Sequence, residues 1–343
     1  MNFTKSSKFI IDEAFYQRIG STWVIDSIYL AVISPMGLIG FVLNLFCFGV
    51  LLKIKIKGTK TYEYLKIYSL NSALICLAFG FFFISNSPRY FKDFTNYYVK
   101  FFTCRIFGYG TISLYFFNNL LDILIILDHI AIFKPKLNVL HLHKPYILCS
   151  IIFIACFSIN SCYFFSTDIV SNEVFFQSNS ISYCEQNEFG KTSHGFLLNM
   201  IVIILRDIVT LILEIISSVL LIYYYDKYKK MSLQILAREN RINEVNVLNK
   251  TILELNRHKR EKRQQLLFMT IILSIFSFVT HIIVAVVFVF LVFVIFENRL
   301  IFFSMVLFGS FSMVFKHFLT IFILYFFNVN FKKKFDKLFL KRR

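Results

Sequence analysis

Proline and glycine are scarce in this chain, 4 and 11 among 343 residues, and tryptophan occurs once, at Trp23. Secondary transporters build their midplane sites from Gly- or Pro-broken helices arranged in repeats. With so few breakers, and neither an internal repeat nor a low-complexity segment, the sequence argues against a transporter or channel. His141 and His143 are close together, but no His/Glu metal-ligand spacing and no nucleophile elbow occur. The expectation is therefore no enzyme, no cofactor and no metal.

Acidic residues are thin as well: 20 Asp and Glu face 37 Lys and Arg, for a net charge of +17. That excess on a soluble protein would suggest nucleic acid, but charge of either sign is missing from long stretches. Ser27–Leu52 carries none over 26 residues and Pro145–Thr167 none over 23, while Gln264–Phe296 holds only His281 as a titratable group. A helix crossing the ~30 Å hydrocarbon core needs ~20 such residues and satisfies its own backbone amides. What is present in their place is 57% hydrophobic and 19% aromatic residues, 45 of them Phe. They fall into seven blocks, roughly 27–52, 65–88, 101–133, 145–167, 196–225, 264–296 and 300–327. The expected fold is all-α, a seven-transmembrane helix bundle.

Lys and Arg cluster in alternate gaps: Lys53 to Lys66, Lys134 to Lys144, eleven between Asp226 and Arg263, and seven after the last span. Twenty-six thus lie on one side against nine on the other. The positive-inside rule then gives an extracellular N-terminus over 1–26, a membrane domain over 27–327 and a cytoplasmic tail over 328–343. Most of this basic charge reads as retention beside anionic lipid headgroups, so membrane lipids are partners and nucleic acid is not. The first 22 residues are mixed polar and contain no signal peptide h-region. Asn2-Phe3-Thr4 is a glycosylation sequon on the expected outer side, whereas Asn249-Lys250-Thr251 falls on the inner side.

Five cysteines, Cys47, Cys76, Cys149, Cys156 and Cys162, fall inside apolar runs and read as small hydrophobes. Cys104 opens the third span and Cys184 lies in the loop 166–195, both facing the oxidising side, where two thiols can pair. A cysteine atop the third of seven helices, bridged to the second outer loop, resembles the rhodopsin-like G-protein-coupled receptors. In that family an Asp-Arg-Tyr triplet places its arginine 25 residues after the bridging cysteine. Here Asp128-His129-Ile130 occupies that place, so His129 stands at the arginine position, with Pro135 just beyond. Asn44 matches the family's first-helix asparagine, and Asn71-Ser72 falls where a second-helix aspartate is expected. The sixth-helix Trp and Pro, the fourth-helix Trp and the seventh-helix Asn-Pro-x-x-Tyr are missing. Thr320 to Leu324 stands in the last position, with Tyr325 one place late. Phe331, Phe335, Leu338 and Phe339, at i, i+4, i+7 and i+8, match the family's short amphipathic helix along the inner leaflet. The pattern is that of a divergent member, similar to invertebrate peptide-receptor-like or orphan branches.

That resemblance implies a plasma-membrane receptor passing an extracellular signal to a heterotrimeric G protein. The amine receptors' ligand-binding aspartate position is Thr111 here, which turns the reading away from a monoamine. A pocket lined by Thr111 and Tyr115 suits a peptide or lipid-like ligand. Asp122, Arg206, Asp207, Glu214, Lys316 and His317 lie within apolar spans and each needs a partner. Arg206, Asp207 and Glu214 read as ion pairs holding the bundle together. Asp122 sits two turns above His129 on one face, and Lys316 lies where the family lines a sodium cavity. The two can pair directly, the ammonium standing in for sodium within a midplane network of Asn44, Asn71, Ser72, Asp122 and Lys316. Between Asp226 and Arg263, Ile242, Val245, Leu248, Ile252 and Leu255 form a helical stripe. The fifth and sixth spans are expected to extend as paired helices, with His258–Arg263 capping the sixth. The segment reads either as a solvated basic loop or as a G-protein dock. A chemosensory seven-helix receptor with little coupling is a further reading, although the insect odorant type has the opposite orientation.

Overall fold

The computed structural model describes residues 23–54, 60–81, 97–133, 144–173, 180–242, 250–293 and 299–339. Seven of its helices are long and apolar enough to cross a membrane: Trp23–Leu52, Thr61–Phe81, Phe102–Ala131, Pro145–Ser166, Ser193–Met231, Gln264–Val287 and Ser304–Phe327. The chain is an all-α seven-helix bundle and a multi-pass membrane protein. Leu, Ile and Phe side chains stand exposed along its flanks, among them Ile151, Ile154, Leu213, Val219 and Phe308. Such a surface is a liability in water and a match for lipid tails. The first, third and fifth spans begin at one end of the bundle, here the entry end. At the opposite, C-terminal end the seventh span runs into an amphipathic helix, Val329–Phe339.

The helices outrun the apolar blocks. The second begins at Thr61, four residues before its block, so Lys66 is helical and reaches back to Glu63 at 2.7 Å. The Tyr146 hydroxyl of the fourth span donates to the same Glu63 carboxylate. The fifth continues through Ile242 and the sixth starts at Lys250, which places His258–Arg263 inside the sixth helix. Val245 and Leu248 of the apolar stripe lie outside the described residues, as do Asn2, Pro135, His141, His143 and Asn249.

Between the fourth and fifth spans a two-stranded antiparallel hairpin appears where the sequence reading had only a loop. β1 (Thr167–Glu173) pairs with β2 (Ser180–Gln186), Thr167 opposite Gln186 and Ile169 opposite Cys184. It is pinned to the third span by Arg105, which donates to the Phe164 carbonyl at 3.1 Å and meets Asp168 at 3.3 Å.

The core is aliphatic and aromatic near the C-terminal end, where Leu51, Tyr64, Leu65, Leu121, Leu324 and Phe331 close together. Asn328 ends the seventh span and caps the last helix, its side chain accepting from the Phe331 amide at 3.0 Å. Phe339 then lies edge-on against Phe46 of the first span at 5.4 Å. The first and second spans touch backbone to backbone. A Cβ on Gly37 would sit 2.7 Å from the Gly80 nitrogen and 2.8 Å from the Cys76 carbonyl oxygen. The Ser34 hydroxyl seals that crossing with a 2.5 Å bond to the Gly80 carbonyl.

Gly37→Ala is expected to destabilise the bundle by ~1–3 kcal/mol through overpacking, read as a lower unfolding midpoint in detergent. Gly49→Ala, where an added Cβ meets nothing within 4 Å, should leave the midpoint in place. Equal shifts in the two variants would refute the close crossing.

Candidate functional site

A charge inside an apolar span must find a partner or water. Lys316, on the seventh span, finds three. Its Nζ donates to Asp122 Oδ2 at 2.8 Å, to Ser277 Oγ at 2.7 Å and to Asn119 Oδ1 at 3.3 Å. The Ser277 hydroxyl donates onward to Asp122 Oδ2 at 2.7 Å. All four residues are buried, so third, sixth and seventh spans meet in one ionic knot.

Asn44, Asn71 and Ser72 make their hydrogen bonds elsewhere. The Asn44 amide donates to the Gly40 and His317 carbonyls at 2.8 and 3.0 Å, and Ser72 Oγ lies 3.0 Å from His317 Nδ1. These two therefore tie first and second spans to the residue beside Lys316. Asn71 turns the other way, donating to the Leu114 carbonyl at 2.9 Å and to Asn118 Oδ1 at 3.1 Å on the third span.

Toward the C-terminal end, Asp128 accepts from the Thr61 hydroxyl of the second span at 2.6 Å. His129 is buried beside the sixth span. Its Nδ1 is 2.9 Å from the Ile125 carbonyl oxygen and its Nε2 3.4 Å from Thr270 Oγ1. A carbonyl only accepts, so Nδ1 carries a proton here. His129 thus faces the sixth helix, while its acidic neighbour Asp128 bonds to the second.

Toward the entry end, Arg206 and Asp207 are neighbours that face one another, Nη2 to Oδ2 at 2.6 Å and Nε to Oδ1 at 3.0 Å. Adjacent residues on a regular α-helix diverge by ~100°. The widened π-helical turn over Ile204–Val209 brings these two closer. Glu214 pairs across to the sixth span instead, its Oε2 2.9 Å from His281 Nδ1. Tyr115 is buried and stands edge-on to His281 at 6.1 Å, and Thr111 is half-buried one turn above it. Glu214 Oε1 is buried without a hydrogen-bond partner, and the Tyr115 hydroxyl faces the Asn119 side chain one turn further along the third span.

Cys104 is buried in the π-helical segment Phe102–Gly108, against which β1 packs. Five other cysteines are free thiols, and Cys104 is not among them. Cys184 sits on β2, and its side chain lies outside the described ones. Among the described residues no cluster of His, Cys, Asp and Glu could hold a metal.

Ser277, Asn119, Thr270 and the Glu214–His281 pair are absent from the sequence reading of the site. Asn119 could have been found, three residues before Asp122 on the same helical face. The Glu214–His281 pair follows from the rule that a buried carboxylate needs a donor, which an imidazole supplies. Ser277 and Thr270 carry no signal of their own, because hydroxyls in apolar helices usually bond their own backbone.

Removing one member of a buried ion pair leaves the other uncompensated, at ~3–5 kcal/mol. Asp122→Ala and Lys316→Ala should each lower the unfolding midpoint strongly, and the double variant should regain part of the loss. Additive losses in the double-mutant cycle would mean that the two residues do not interact.

Compared with known protein families and with curated proteins, the chain matches no family model and no curated sequence.

Proposed function

We propose that this chain is a seven-helix receptor that couples a ligand on the entry side to a heterotrimeric G protein on the C-terminal side. The observation that carries the reading is a polar seam between third and sixth spans. Tyr115, Asp122 and His129, seven residues apart on one face of the third span, meet His281, Ser277 and Thr270 of the sixth in antiparallel order. Beside the seam, Ile126 and Ile130 of the third span share an aliphatic cluster with Leu267 of the sixth. Hydrogen bonds can exchange partners during sliding, whereas interdigitated side chains resist it.

In this reading the unpartnered Glu214 oxygen is a group that a ligand's polar atoms would meet, since buried polar groups normally have partners. The ligand is a peptide or another non-amine. Motion of the sixth span away from the third uncovers His129 and Asp128 to the G protein. Lys316 serves as the tethered cation of the midplane, in place of a bound ion. Cys104 and Cys184 bridge the hairpin to the third span. The receptor sits in the plasma membrane with its N-terminus outside and its C-terminus inside. An N-terminal tag should be labelled on intact cells and a C-terminal tag only after permeabilisation; the reverse would sink the topology.

Arginine offers a planar fork of donors and a permanent charge, neither of which histidine has. Nucleotide exchange on G protein in membranes bearing this chain should therefore be weak, and His129→Arg should raise it severalfold. Unchanged exchange in the Arg variant removes the switch role from this position.

For the bridge, Cys104→Ser or Cys184→Ser should sharply reduce surface expression, and Cys149→Ser far less. Comparable losses in all three variants would overturn the pairing.

A further inference from the structure

The last helix has two faces with different fates. Phe331 is buried and Phe335 packs against the core, while Phe339 meets Phe46 of the first span. Asn330, Lys333, Lys334 and Lys337, spaced i, i+3, i+4 and i+7, share the other face. With Ile54, just past the end of the first span, they line a cavity of about 280 Å³.

Among the described residues, nothing compensates the charge in that cavity. Asp336, the acid of this helix, is turned aside and accepts from the Tyr325 hydroxyl at 3.0 Å. Lys332 is also turned aside, its Nζ over the Tyr325 ring at 5.5 Å. Lys333, Lys334 and Lys337 make no ion pair or hydrogen bond among the described residues. Three ammonium groups held in one concave site attract an anion. The apolar side of the cavity is Ile54, and Leu52, two residues back at the end of the first span, is exposed.

We propose that this cavity binds one anionic phospholipid whose headgroup carries a phosphomonoester, with its acyl chains along the first span. A phosphomonoester holds about −1.5 to −2 charges at neutral pH and three acceptor oxygens. That matches three lysines and the Asn330 amide better than a singly charged diester does. The inference does not depend on receptor function or on which side of a cell the helix faces, because detergent and nanodiscs expose both ends.

The test uses the full chain, purified and incubated with phosphatidylinositol bisphosphate, with retained lipid counted by native mass spectrometry. One bisphosphate per chain is expected. Affinity should fall about fivefold for each of Lys333→Gln, Lys334→Gln and Lys337→Gln, the factor that ~1 kcal/mol per basic residue at a charged surface converts to. The triple variant should lose on the order of a hundredfold if these add. Lys332→Gln, equal in charge but outside the cavity, should stay within about twofold of wild type. Unfolding midpoints in phosphatidylcholine nanodiscs check that each variant folds, and the single variants decide the matter if the triple does not. Equal loss in Lys332→Gln would reduce the effect to diffuse surface charge and overturn the site. Equal retention of phosphatidylserine would overturn the phosphomonoester, and equally tight binding of soluble inositol trisphosphate would overturn the lipid.

Discussion

One ammonium group sets the terms for the middle of this protein. A lysine at the centre of an apolar span costs ~2.5–3.5 kcal/mol on insertion scales, so Lys316 must meet a counter-charge at its own depth. Asp122 supplies it at 2.8 Å, which fixes the third span against the seventh in both rotation and height. Ser277 then enters as the group that both accepts from the lysine and donates to the carboxylate, and it brings the sixth span to the same level. Once that register is set, helical periodicity places Tyr115 two turns toward the entry end and His129 two turns toward the other. The rest of the seam follows from the pair.

The seam's two sides differ in length. From Tyr115 to His129 the third span rises ~21 Å, while from His281 to Thr270 the sixth rises only ~17 Å, at ~1.5 Å per residue. The two helices keep step over the C-terminal half of their crossing, seven residues each from Asp122 to His129 and from Ser277 to Thr270, so the mismatch falls in the entry half, where the Tyr115 and His281 rings meet at 6.1 Å. Leu267 fills the C-terminal part of that crossing together with Ile126 and Ile130. The entry part is held by the imidazole, the Glu214 carboxylate and the tyrosine ring. Fold and site are therefore made of the same contacts, and a change at one level of the seam strains the next.

How much of this was legible in the sequence depended on whether a residue carries its own signal. Runs without charge marked the seven spans, because nothing else explains 26 uncharged residues at Ser27–Leu52. They did not mark helix ends. The second and sixth helices extend past the apolar blocks into Thr61–Tyr64 and Lys250–Arg263, where polar residues form helix once they have partners such as Lys66 and Glu63. The third-to-seventh pairing of Asp122 and Lys316 could be read because two isolated opposite charges in apolar runs have few other options. The need of a buried carboxylate for a donor, applied to Glu214, would have found His281. Arg206 and Asp207, read as an ion pair within an apolar span, do face one another, along a single helix. The hairpin was not legible: TDIVSNE and SISYCEQ are short, polar and half-alternating, and what makes them strands is each other.

Among the described residues, irregular backbone is not spread evenly. Tyr29–Ile33, Phe102–Gly108 and Ile204–Val209 are π-helical, and all three fall toward the entry end, in the first, third and fifth spans. The first has an identifiable cause: Pro35 lacks an amide hydrogen and its ring crowds the carbonyl one turn back, so the preceding turn widens. The second carries Cys104 and Arg105, which anchor at the hairpin, and the third carries the Arg206–Asp207 pair. Widened turns of this kind are weaker than regular helix and recur where helices serve a function. At the C-terminal end the described spans are regular, packed on Tyr64, Leu65, Leu324 and Phe331. Among the described residues the bundle is thus irregular at one end and tightly packed at the other, with the polar seam between them.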